Sequence, residues 1–157
     1  MKKQQNIQAS VLDRLIDLEP EISHEPVQYR LVSFGQIRAS VIRDLEFLLN
    51  TKRQILTVPT AMGELNNSLF VYGIGDFTSQ NPRSTSVRNE LRKELALTIA
   101  RFEPRLKNVT VDVVTPSQTE RNLKLRIKGT LIIDPIAEPV EFDTYFDINR
   151  GQYIISR

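Results

Sequence analysis

Cysteine and tryptophan are absent from the 157 residues, and histidine occurs once, as His24. Without cysteine there is no disulfide framework, no thiol nucleophile and no thiolate metal site, a composition that suits a reducing compartment. A single histidine removes the usual nucleophile–base pairs and the histidine-based metal sets. Charge of one sign is also missing. Lys and Arg total 21 against 19 acids, so the formal charge of +2 is too mild to imply nucleic acid or a membrane surface as partner. Nowhere do about 18 apolar residues follow one another. The basic start MKKQQNIQAS leads into no sustained apolar run. The chain is therefore expected neither to span a membrane nor to be exported by a signal peptide. Glycines number only 6, and Gly73-x-Gly75 lacks the third spaced glycine, the Lys-Ser/Thr pair and the immediate helix of a phosphate loop. No nucleotide or other cofactor is expected.

What is present is ordinary globular material, 40% hydrophobic and 25% charged, enough for one core. Residues 1–9 are polar and read as a flexible N-terminal segment, with 10–157 a single domain. Ser10 and Asp13 form a capping-box-like start ahead of Val11, Leu12, Leu15 and Ile16, a helix expected to stop near Glu19-Pro20. Ser33 and Gln36 make a second box, and Phe34, Ile37, Val41, Leu45, Leu48 and Leu49 then recur at helical spacing to Asn50. Arg38, Arg43, Asp44 and Glu46 lie mainly off that stripe and read as a solvated face. Residues 51–68 read as loop with one helical turn. Leu69–Thr78, LFVYGIGDFT, turns on two glycines and brings Tyr72 and Phe77 toward the core. The third long helix follows Asn81-Pro82 and Ser84-Thr85-Ser86, with Val87, Leu91, Leu95, Ile99 and Phe102 on its face and Glu90 and Glu94 on its charged side.

Strand periodicity takes over beyond residue 108. Val109, Val111 and Val113 alternate with Thr110 and Asp112. Next come Leu123, Leu125, Ile127, Gly129, Leu131 and Ile133, interleaved with the basic Lys124, Arg126 and Lys128. After a turn over Pro135–Pro139, Val140, Phe142, Phe146 and Ile148 continue the apolar set on even positions. Pairing Ile133 with Val140 would set Leu131 on Phe142, Ile127 on Phe146 and Leu125 on Ile148. It would also place Arg126 opposite Asp147, with Lys128 diagonal to Asp143 and Asp147. Asn149-Arg150-Gly151 suits a hairpin loop returning Tyr153, Ile154, Ile155 and Ser156 as a terminal edge strand, where another chain could add a strand. The fold class is thus α+β, with N-terminal helices on one face of a mainly antiparallel meander.

The stretch IARFEPRL, residues 99–106, stands out chemically. Proline has no N–H and disfavours helix at the residue before it, so Glu103 leaves the helix as Pro104 enters. Glu103 and Arg105 are then held on a stiff exit, outside the stripes that build the core, and can present a fixed carboxylate and guanidinium fork to a partner; the plain alternative is a helix stop with two solvated charges.

Five stretches together, SVLDRL at 10–15, IRDLEFLLNTKR at 42–53, VYGIGDFT at 71–78, RFEPRL at 101–106 and the closing hairpins, resemble the gene-25-like family of contractile phage baseplate wedge proteins. Within it they are most similar to the TssE-type baseplate subunits of the type VI secretion system. Gly75 departs from the proline that this turn often carries in the family. The resemblance implies a structural, non-enzymatic wedge component, with TssF, TssG and TssK and the sheath subunits as partners. The baseplate would be cytoplasmic, docked at the inner face of the cytoplasmic membrane. The resemblance also implies wedge contacts for Glu103, Pro104 and Arg105, and sheath contact for the Tyr153–Ser156 edge. The alternative is a peptidoglycan-cleaving, lysozyme-like enzyme using paired carboxylates, candidates being Glu90, Glu94 and Glu103, although no acid has an evident desolvating pocket to raise its pKa.

Overall fold

A computed structural model describes residues 10–16, 20–21, 33–56, 58–59, 61–77, 84–114, 124–134, 136–147 and 152–156. The expectations for residues 1–9, His24, Leu123, Ile148 and the Asn149-Arg150-Gly151 loop lie outside these. The chain separates into two compact units, Met1–Val41 and Ile42–Arg157.

In the first unit, Ser10 caps α1 (Val11–Leu15). Its Oγ accepts from the Asp13 N–H at 3.1 Å and donates to the Asp13 carboxylate at 2.6 Å. The helix ends at Leu15, short of Glu19-Pro20, because Ile16 is already extended. Val11, Leu12, Leu15 and Ile16 are all exposed, so no packed face supports further turns of an intrinsically weak short helix. The second box is complete: the Ser33 N–H donates to Gln36 Oε1 at 2.7 Å and the Gln36 N–H to Ser33 Oγ at 3.2 Å. It opens α2 (Phe34–Asn50), whose Ile37 and Val41 are buried and whose residues from Ile42 onward belong to the second unit, with Ile42, Leu45, Leu48 and Leu49 buried there.

In the second unit, a short α3 (Gly63–Asn66) and a 3₁₀ turn at Leu69–Val71 lead to Gly73. Gly73 has φ +100°, and a Cβ there would fall on the Thr51 carbonyl. That close approach lets the turn bridge the chain after α2, with the Ile74 N–H donating to Thr51 O at 2.9 Å and the Arg53 N–H to Ile74 O at 2.8 Å. Helix α4 (Thr85–Phe102) buries Leu91, Leu95, Thr98 and Ile99, then feeds the antiparallel meander β1 (Leu106–Val114), β2 (Lys124–Ile133), β3 (Ile136–Asp147) and β4 (Gln152–Ile155), in that spatial order. The helices and this four-stranded antiparallel sheet make the fold α+β, as expected.

The β2–β3 register differs from the expected one. Ile133 pairs with Ile136 rather than Val140, Ile127 with Phe142 rather than Phe146, and Leu125 with Thr144 rather than Ile148. The shift is by an even number of residues, so apolar parity survives. Alternation forbids only odd slips. What decides is where the strands meet: β3 begins at Ile136 and continues through Pro139, so the reversal falls between Ile133 and Ile136. One face carries the buried Val111, Ile127 and Phe142 in a row, and beside them Leu125, Thr144 and Ile155. On the other face Arg126 lies opposite Asp143, not Asp147, at 2.8 Å, and reaches Glu141 at 2.9 Å; Lys128 lies opposite Glu141 and reaches Asp112 at 3.7 Å. The basic stripe is part-neutralised by Asp143, one of the acids expected, together with Glu141 and Asp112.

Candidate docking site at the helix exit and the sheet edge

Helix α4 ends as its sequence requires. The Glu103 N–H still donates to Ile99 O at 2.8 Å, but Glu103 itself has left helical space at φ −120°, ψ 80°. Pro104 then occupies the second position of a turn closed by the Leu106 N–H donating to Glu103 O at 3.1 Å, a place that suits its fixed φ. The Arg105 carbonyl already accepts the Ile132 N–H at 2.8 Å, so the motif is built into the start of the sheet.

The side chains do not both face outward. Glu103 is only 3% exposed, and its carboxylate accepts three bonds from Arg105: from the backbone N–H at 3.2 Å, Nε at 2.7 Å and Nη2 at 2.6 Å. Arg105 Nη2 also donates to Asp44 Oδ2 at 2.5 Å, across 61 positions of sequence. Burial by itself would lower the Arg105 pKa, but its hydrogen bonds and charge contacts with Glu103, and then with Asp44, overcome that and raise it. The guanidinium therefore holds two carboxylates in place while its own side chain keeps 24% exposure, and Pro104 is exposed. What the motif leaves at the surface is Pro104 and the outer part of Arg105. Glu103 acts from inside, fixing the fork. Arg105 is thus joined to the core rather than standing outside it, contrary to the expectation from its position between stripes.

Tyr72 completes the cluster. Its ring meets that of Phe102 edge-on at 5.1 Å between centroids. Its hydroxyl pKa is raised, first by burial and then by the negative charges of Asp44 and Glu103. Next to this cluster Glu94 Oε1 accepts from Arg53 Nη2 and from the Gly75 N–H, each at 2.8 Å, so Glu94 clamps the glycine turn to α4 instead of lying on a merely solvated face. Proline at position 75 could not donate that bond.

Strand β4 lies last in the strand order among the described residues, running Gln152–Ile155 rather than the expected Tyr153–Ser156, and its outer side is occupied. Asn50 Oδ1 accepts from the Tyr153 N–H at 2.7 Å, while Asn50 Nδ2 donates to Tyr153 O at 2.9 Å. Glu46 Oε1 accepts from the Ile155 N–H at 3.0 Å. Burial raises the Tyr153 pKa. Ile155 is buried, Tyr153 and Ile154 are half-buried, and Ser156 is exposed. The expectation that Asp44 and Glu46 belong to a plain solvated face is corrected: both reach partners in the closing half of the chain. The one local signal for the edge contact was that Glu46 and Asn50 stand one helical turn apart beside the Leu45–Leu49 row. Among the described residues no group of three or more histidine, cysteine or acidic side chains could hold a metal ion, and no helix is long and apolar enough to cross a membrane.

No curated protein matches the chain. A chain in the solved structure described as "The baseplate complex from the type VI secretion system" aligns with a TM-score of 0.46 and 21% identity, over 71% of this chain and 94% of that one. Residues 35–136, more than half of the sequence and including α2, the glycine turn, Glu103-Pro104-Arg105 and the first two strands, match the family described as baseplate wedge protein gp25. The chain belongs to the gp25 family of baseplate wedge proteins.

Proposed function

We propose that this chain is a structural wedge component of a contractile injection machine of the type VI secretion kind, joining the wedge to the sheath and helping to start sheath assembly. The observation that carries the proposal is the family match over residues 35–136. The secretion-system branch is favoured by SVLDRL at 10–15 and by the other stretches that resemble TssE-type subunits. Pro104 and the exposed part of Arg105 meet the wedge, with TssF, TssG and TssK the partners, while the Tyr153–Ser156 edge meets a sheath subunit. Such a baseplate would be cytoplasmic and docked at the inner face of the cytoplasmic membrane. A scaffolding rather than enzymatic role is supported by the employment of the acids: Glu103 is tied to Arg105, and Glu94 to Arg53 and Gly75. The test is co-purification of the full chain with TssF and TssG homologues at mild salt. Recovery of the wedge supports the proposal, and recovery of no wedge or sheath component refutes it.

A further inference from the structure

The backbone of β4 has a defined polarity. The Ser156 N–H donates inward to Asp143 O at 2.8 Å, so residues of that parity bond to β3 while the N–H groups of Tyr153 and Ile155 point away from the sheet. An ordinary edge leaves such groups to water or to an incoming strand. Here α2 takes them. The Asn50 side-chain amide presents one C=O and one N–H, the pair that a neighbouring backbone presents, and both bond to the same residue, Tyr153. One turn earlier, Glu46 receives the Ile155 N–H. Two side chains of one helix thus imitate an adjoining strand, of which there is none beside β4 among the described residues.

The geometry points to a displaceable latch: Asn50 and Glu46 close the β4 edge in the isolated chain, and an extended segment of a sheath subunit adds to the sheet by taking over their bonds to Tyr153 and Ile155. This rests on the reading of β4 as the sheath contact given above, and names how that contact is regulated. Asn50 is exposed, so water and a competing backbone can both reach it, and replacing one set of hydrogen bonds by another is nearly balanced. An incoming strand restores every bond it displaces and adds its own side chains. The latch lets the edge stay satisfied before assembly without sealing it.

The experiment compares the full chain with Asn50→Ala, the double variant Asn50→Ala/Glu46→Ala, and Glu46→Gln, whose side-chain oxygen still accepts from Ile155. Amide hydrogen exchange is read at Tyr153 and Ile155, and capture is measured with the purified cognate sheath subunit. Expected are faster exchange at Tyr153 in both alanine variants and at Ile155 in the double variant, unchanged protection in β2 and β3, and sheath capture tightened about tenfold in the double variant, with Glu46→Gln close to wild type. Unchanged exchange at both amides overturns the latch. Faster exchange with weakened capture also overturns it, by making Asn50 and Glu46 parts of the docking surface. Self-association of the open variants in place of capture overturns it in favour of a guard against a second copy. An opened edge with no sheath capture by any form, wild type included, refutes the sheath reading itself and with it the gating role. Asn50→Ala alone decides the matter should the double variant not fold, because alanine suits the helix and Leu48 and Leu49 carry the local core.

Discussion

Glu103 shows what a buried charge demands of its neighbours. At 3% exposure its carboxylate would be costly if left alone, and Arg105 supplies both a charge and a fork of N–H groups matched to it. Truncating Arg105 leaves that carboxylate, with Asp44 nearby, uncompensated. Arg105→Ala is therefore expected to destabilise the chain by about 3–5 kcal/mol, read from urea unfolding. An unchanged midpoint, with wedge capture lost, would make Arg105 a docking residue only. Thr144 is the opposite case. Its hydroxyl is buried on the apolar face of β3 with no hydrogen-bond partner among the described residues. Thr144→Val keeps the shape and removes the unsatisfied group, so a gain of about 1 kcal/mol in unfolding free energy is expected. A loss of that size would show that the hydroxyl has a partner in the folded chain.

Among the elements, the glycine turn and the α4 exit act as one joint, through Tyr72 against Phe102 and Glu94 on Gly75. The raised Tyr72 pKa makes the joint sensitive to alkali. Below the ordinary value of 10.0 the phenol is neutral in both folded and unfolded chain, and its contribution is fully present. As pH rises past that value the unfolded chain ionises first, so stability is lost until the folded pKa is passed. Tyr72→Phe is expected to flatten the fall in unfolding midpoint between pH 9 and 11.5, leaving a residual slope from Tyr153, whose pKa burial also raises. An identical fall in the variant would remove Tyr72 as its source. These elements were differently legible in the sequence. Capping boxes and apolar stripes act within a few residues, so α2, α4 and the strand faces could be read directly. The β2–β3 register could not be fixed by alternation, which is indifferent to even shifts, and the reversal between Ile133 and Ile136 decided it. The early end of α1 reflects exposed apolar side chains, and burial is not a local property.

Over the whole chain, family resemblance was legible because it rests on contiguous stretches, whereas the contacts that define the candidate site join distant ones: Asn50 to Tyr153 across 103 positions, Glu46 to Ile155 across 109 and Asp44 to Arg105 across 61. No spacing rule reaches that far. The consequence bears on how β4 can be tested. From sequence alone the last residues look like a removable edge, so that deleting 152–157 would spare the fold and remove only the sheath contact. The structure gives those residues three structural tasks. Ile155 is 2% exposed and lies opposite Thr144, the strand covers the outer edge of β3, and its backbone satisfies Asn50 and Glu46. Loss of the Ile155 side chain alone costs about 2–5 kcal/mol by comparison with other buried isoleucines. Deletion of 152–157 is therefore expected to lower the unfolding midpoint sharply and to abolish wedge and sheath capture together, as circular dichroism and co-purification would report. A truncated chain that keeps its midpoint and its wedge, and loses only the sheath, would show β4 to be an appendage whose core packing contributes little. Substitution of the outward contacts of β4, rather than its removal, is the change that can separate assembly from folding.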